Sequence, residues 1–261
     1  MKLNIVPART GLQWVKLGAR TFLRQPLAMA GLFFMFMASV SVLSLVPVIG
    51  TLISLALVPA ATLGLMAATR EAQEGRFPMP TTLVTAFRGG AARTRAMLVL
   101  GALYAAGLML VFGVGALFGT EAAPVVDAAG STEVTPEMVR EMFSRQGLWA
   151  SMLLYVPLLM AFWHAPALVY WQGVSPVKSL FFSLLACWSN KGAMVIYTLG
   201  WIAVFMLVGV LMSLLGALLG GGGALNLVLY PMVLLLASAF HASIWFSVRD
   251  SFVFTQEDPA A

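Results

Sequence analysis

From Leu27 to Thr69 the chain carries no charged side chain, a run of 43 residues. One helical crossing of a bilayer needs about 20 apolar residues, so this run has room for two crossings. Pro47 divides it, because proline lacks the amide that continues a helix and favours a tight turn. The first crossing is read as Leu27–Val46 and the second as Gly50–Thr69. Four further apolar runs follow at Ala96–Phe118, Leu148–Trp171, Ala193–Leu219 and Leu225–Val248. The last two are separated by the glycine run Gly220–Gly223, read as a flexible turn. None shows the two-residue alternation of an outer-membrane barrel. The expected fold is all-α: one polytopic membrane bundle of six transmembrane helices.

Composition excludes a soluble globule. Hydrophobic residues make up 61% of the chain and charged residues 10%, against about 45–50% and about 25% in soluble domains. The formal charge of +5 does not point to nucleic acid, because the basic residues gather at the ends of the apolar runs. Thirteen of the fifteen Lys and Arg fall on one side of the alternating topology, and only Arg140 and Arg145 on the other. The positive side is expected to be cytoplasmic, with both termini inside. The segment between spans 3 and 4 holds Glu121, Asp127, Glu133, Glu137 and Glu141, and is expected to be exported at net −3.

The single domain, residues 1–261, then reads as follows. Residues 1–26 are a cytoplasmic amphipathic segment, 27–118 hold spans 1–3, and 119–147 are the acidic exported segment. Residues 148–248 hold spans 4–6, and 249–261 are a cytoplasmic tail. The first apolar run feeds directly into a second, so it reads as an uncleaved membrane helix. Within the exported segment, Thr135, Pro136 and Glu137 give the start signals of a short helix.

In TGLQWVKLGARTFLR, Lys16, Arg20 and Arg24 recur at helical spacing, and Leu12, Val15, Phe22 and Leu23 take other faces. Such a basic amphipathic helix either lies at the headgroup level or packs on the bundle's own loops. Similar segments, PTTLVTAFRGGAARTR and PVKSLFFSLLACWSNKG, precede spans 3 and 5. The chain can therefore be divided into three units, each an amphipathic helix followed by a span out and a span back. Every unit starts on the same side, which makes the repeat parallel. Lys16, Arg20, Arg24, Arg88, Arg93 and Arg95 are the candidate lipid-surface cations, with anionic lipid as the expected partner.

The two histidines fall in matching contexts, FWHAPALVYWQ and AFHASIWFSVR. Each stands eight residues before a boundary residue, Gln172 or Arg249, so on straight helices both lie about 12 Å below the cytoplasmic edge. Intramembrane ionisable residues are functional suspects. His164 and His241 are accordingly the candidate polar intramembrane residues, both expected to face the bundle interior at one level. Three roles are open: a neutral ring bonding a carbonyl freed by Pro166, a proton relay or gate, or a metal ligand. Two histidines fall short of the three or four ligands zinc takes, and no Asp, Glu or Cys lies in the spans. Neither a metal nor a cofactor is expected. Cys187 is alone, so no internal disulfide can form. No P-loop, HExxH, exposed GxSxG elbow or intramembrane acid pair is present, and no catalytic residue is assigned.

The stretch AFWHAPALVYWQGVSPVKSLFFSLLACWSNKGAM resembles a family of uncharacterised six-span inner-membrane proteins of betaproteobacteria, known by a Burkholderia locus label. More loosely, the layout of spans is similar to the membrane domain of some glycerophosphodiester phosphodiesterases, whose catalytic domain has no counterpart here. The first resemblance implies a multi-pass protein of the bacterial inner membrane and no particular activity. The expected function is that of a non-enzymatic accessory or membrane-organising factor bound to lipid or to a protein partner. The alternative is a passive transporter or channel constricted at the histidines.

Overall fold

The computed structural model describes residues 2–118, 146–218 and 223–253. The acidic segment with its Thr135 helix start, most of the glycine run and the end of the tail lie outside the described residues. Strand β1 (Lys2–Leu3) is followed by α1 (Thr10–Arg24), α2 (Pro26–Ser44) and α3 (Ile49–Gln73), and then by a 3-10 helix (Pro80–Phe87) and α4 (Ala91–Leu117). Next come α5 (Gln146–Trp163), α6 (Ala165–Gln172), α7 (Pro176–Ser189), α8 (Lys191–Leu218), α9 (Gly223–Ser251) and β2 (Phe252–Val253). Six helical stretches among the described residues are long and apolar enough to cross a membrane: α2, α3, α4, the α5–α6 pair, α8 and α9. The fold is an all-α polytopic membrane bundle.

Both described chain ends meet at one end of the bundle, where β1 pairs antiparallel with β2. Asn190, at the α7–α8 junction, holds that corner. Its Oδ1 accepts from the Val6 amide at 2.8 Å, and its Nδ2 donates to the Asn4 carbonyl at 3.0 Å. This is also the end where most Lys and Arg gather, and it is called the basic end below.

Helix α1 stops where Pro26 bars the preceding residue from helical geometry, and Gln25 takes φ −141°. Its apolar face does not float on lipid or loops: it is wedged against α8 and α9. Trp14 is fully buried, donates from Nε1 to Asp250 Oδ2 at 2.9 Å, and meets the Tyr197 ring edge-on at 6.0 Å. Small residues allow the approach, as is common between membrane helices. A Cβ on Gly18 would stand 2.3 Å from Ser243 Cβ. Leu12, Lys16, Arg20, Leu23 and Arg24 stay on the exposed side.

The second amphipathic helix is shorter than its sequence implies. Only Pro80–Phe87 is helical, in 3-10 geometry, and α4 begins afresh at Ala91. Gly90, at φ +87°, interrupts the helix between them. Arg88 therefore caps the 3-10 helix, whereas Arg93 and Arg95 ride the first turns of span 3.

Packing is concentrated at the basic end. In α2 the buried residues are confined to Ala28–Phe33. In α8 they are Ala193, Tyr197 and Trp201, with Gly216 further along. The remaining faces of these helices are large aliphatic and aromatic side chains, as a surface solvated by hydrocarbon requires.

Candidate functional site

Pro166 breaks the fourth crossing. Helix α5 ends at Trp163, α6 begins at Ala165, and His164 sits between them at φ −104°, ψ −15°. The break separates the His164 amide from the Met160 carbonyl, partners in an unbroken helix. The hydroxyl of Ser183, from α7, fills the gap. It accepts from the His164 N–H at 2.9 Å and donates to the Met160 carbonyl at 2.7 Å. Serine insertion into a helical ladder is a recognised cause of kinks. A hydroxyl from another helix thus mends the gap, at the Met160 carbonyl rather than the Phe162 carbonyl that Pro166 frees, and among the described residues the His164 ring bonds no carbonyl.

The His164 ring is fully buried and makes longer contacts: Nδ1 to Cys187 Sγ at 3.6 Å and Nε2 to Ser247 Oγ at 3.5 Å. Its edge meets the Phe252 ring at 5.5 Å. Burial pushes the Cys187 thiol up to about 12, so at neutral pH it is a thiol and a poor nucleophile.

Ser247 belongs to a stripe that the sequence reading missed. Ser243, Ser247 and Ser251 stand at i, i+4 and i+8 on α9, all fully buried. Ser243 Oγ takes the Trp201 Nε1–H at 3.1 Å and pairs with Tyr197 Oη at 2.6 Å. Ser247 Oγ takes the Trp163 Nε1–H at 2.9 Å and donates to the Ile244 carbonyl at 2.7 Å. Ser251 Oγ lies 3.5 Å from Asn190 Nδ2. The four-residue spacing puts the hydroxyls on one helical face, where they fasten α5, α8 and the Asn190 junction to α9. That spacing, in ASAFHASIWFSVRDS, was the available signal.

His241 has different surroundings. Its Nδ1–H donates to the Ala237 carbonyl at 2.8 Å, and the Phe33 ring lies 4.9 Å away. The ring lines a cavity of about 230 Å³ bounded by α3, α4, α5, α6 and α9, together with Thr62, Tyr104, Tyr155 and Trp163. His164 is not part of that lining.

The shared level expected for the two histidines is therefore corrected. His164 contacts Ser247 and Phe252, and Ser247 lies six residues beyond His241, about 9 Å along α9. The physical reason is the break at Pro166: the helix is interrupted at His164, and α6 packs against α3, α4 and α7, so a straight-helix count fails for span 4. Among the described residues, no group of three or more His, Cys, Asp or Glu is placed to hold a metal ion.

The candidate cations lie at the basic end. Lys16, Arg20, Arg24, Arg88 and Arg95 are exposed, and Arg93 is half-buried with its guanidinium 5.6 Å from the Tyr170 ring centre. The ion pairs among the described residues join Arg70 and Arg76 to Glu74 and Arg249 to Asp250. None of the six cations has an acidic partner there.

No family model matches the chain. No solved structure matches it either. A Burkholderia thailandensis protein named "Probable inner membrane protein" is 35% identical over 254 residues, covering 97% of this chain and 94% of that protein. Identity of that degree along nearly the whole length, with six apolar helices to match, places the molecule: the chain belongs to the family of this Burkholderia protein, a family of multi-pass inner-membrane proteins.

Proposed function

We propose that this protein is a non-enzymatic membrane-organising factor that gathers anionic lipid at its basic end, which faces the cytoplasm. The observation that carries the reading is the set of six cations without acidic partners among the described residues, borne on elements locked into the spans. Helix α1 presents Lys16, Arg20 and Arg24 beside exposed Leu12 and Leu23, a mixture suited to the headgroup boundary. Each such cation contributes about 1 kcal/mol near an anionic surface, weakened by salt. A passive channel is less well supported. Between the His241 cavity and the basic end, Trp171 and Trp245 meet at 5.0 Å, and Phe246 and Val248 are fully buried.

The test is thermal unfolding of the detergent-solubilised protein as phosphatidylglycerol or phosphatidylcholine is added. Ligands that bind only the folded state raise the melting temperature. Phosphatidylglycerol is expected to raise it more than phosphatidylcholine, with the difference shrinking at high salt and in K16Q/R20Q/R24Q. Equal effects of the two lipids would refute the proposal.

A further inference from the structure

We propose that the cavity beside His241 is a binding site for a neutral, hydroxyl-headed membrane amphiphile, a site separate from the anionic-lipid surface. Several polar atoms on its wall keep hydrogen-bonding capacity to spare. His241 Nδ1 is committed to the Ala237 carbonyl, which leaves Nε2 of the neutral ring as an acceptor. That nitrogen has no partner among the described residues, and neither do the Tyr104 and Tyr155 hydroxyls. Thr62 Oγ1 donates to the Val58 carbonyl at 2.9 Å and keeps lone pairs free. A ligand hydroxyl is the group that answers this set, because one oxygen can donate to Nε2 and accept from a tyrosine. Among the described residues no charged side chain lines the cavity, so a charged head would lose its hydration without compensation.

Size and access point to the bilayer as the source. A volume of about 230 Å³ lies below the ~300–1,000 Å³ of pockets that enclose a whole drug-sized ligand, so it holds one end of a longer molecule. The backbones of α5 and α9 do not approach each other closely, although both helices line the cavity. Trp163 bridges them near the basic end, through Ser247 and the Phe240 ring. Beyond that bridge, Leu159 of the lining is exposed. The lining thus reaches the exposed surface of a membrane-spanning helix at Leu159, where a hydrocarbon chain can trail into lipid.

The test uses the full chain in nanodiscs of phosphatidylcholine alone, so that it does not depend on anionic lipid. The probe is hexadecanol carrying a photoactivatable diazirine on its chain, with the matching methyl ether and palmitic acid as comparisons. Hexadecanol is expected to label peptides containing Thr62, Tyr155 or His241, and unlabelled hexadecanol should compete it away. The ether and the acid should each label these peptides roughly threefold to tenfold less, the range expected for one lost neutral hydrogen bond. His241→Phe and Tyr104→Phe should reduce hexadecanol labelling by a similar factor, and Thr62→Trp, which fills the cavity, should abolish it. Labelling equal in density to that on the exposed face of α8 around Phe205 and Met206, and insensitive to competitor, would overturn the proposal. So would equal labelling by alcohol and ether. The competition and ether comparisons need no variant, so a misfolded variant leaves the proposal open to refutation.

Discussion

Ser183 stands where a standard helical hydrogen bond is missing, and its energetic importance follows from that position. Its hydroxyl serves the His164 N–H, which would otherwise lack its helical acceptor, and the Met160 carbonyl, which would otherwise keep only the weak Cys187 thiol contact at 3.6 Å. Ser183→Ala is expected to cost about 1–3 kcal/mol, measured by reversible unfolding in mixed micelles, with Ser183→Thr milder. His164→Leu is expected to cost less than Ser183→Ala. The ring's own contacts are 3.5–3.6 Å long, and both Ser247 and Cys187 have carbonyl partners besides. The opposite order would show that the imidazole, not the serine, secures the kink. For Cys187, the folded state holds the thiol at about 12 against an ordinary value of 9.0. The folded protein therefore disfavours the thiolate: this contribution to stability is full below pH 9 and is lost as pH rises toward 12. In native protein at pH 8, maleimide should label Cys187 far more slowly than after unfolding, and prompt labelling would contradict its burial at 1% exposure.

At the scale of elements, the crossings were legible because their signal is redundant: twenty apolar residues in a row can do little else. The amphipathic segments were less so. The sequence identified α1 as two-faced but could not say what its apolar face meets, since lipid and a neighbouring span are equally apolar. The answer lay in Gly11 and Gly18, whose missing side chains matter only once α8 and α9 are in place. Gly18→Val is expected to dislodge α1 and lower stability by more than about 2 kcal/mol, in the range of overpacked cores. Gly31→Ala, with nothing within 4 Å of the added carbon, should be neutral or stabilising by up to about 1 kcal/mol. Equal effects of the two changes in a melt would refute the wedge. The break at Pro166 was visible as a proline, but its consequence was not. The break interrupts the regular rise of span 4, so two histidines with matching neighbours ended at different depths.

For the whole molecule, the polar contacts between elements of the described residues gather at one end. The serine stripe, the Asn190 corner, the β1–β2 pair and the six cations all lie there, while the opposite halves of α2 and α8 expose mainly apolar side chains. Six spans and their alternation could be read directly from the sequence. The cavity could not, because Thr62, Tyr104, Tyr155 and His241 come from four helices and converge only in the packed bundle. The basic excess predicts that a reporter fused at Gly90 stays cytoplasmic and one fused at Gly130 is exported; reversed activities would overturn that orientation. Capture of anionic lipid at the basic end is the central claim. It is tested most directly by extracting the protein from its own membrane in native nanodiscs and quantifying the lipids by mass spectrometry. Anionic lipids should be enriched over the bulk membrane for the native chain, and that enrichment should fall in K16Q/R20Q/R24Q with the fold intact. A lipid profile equal to the bulk membrane, unchanged by the three substitutions, would contradict it.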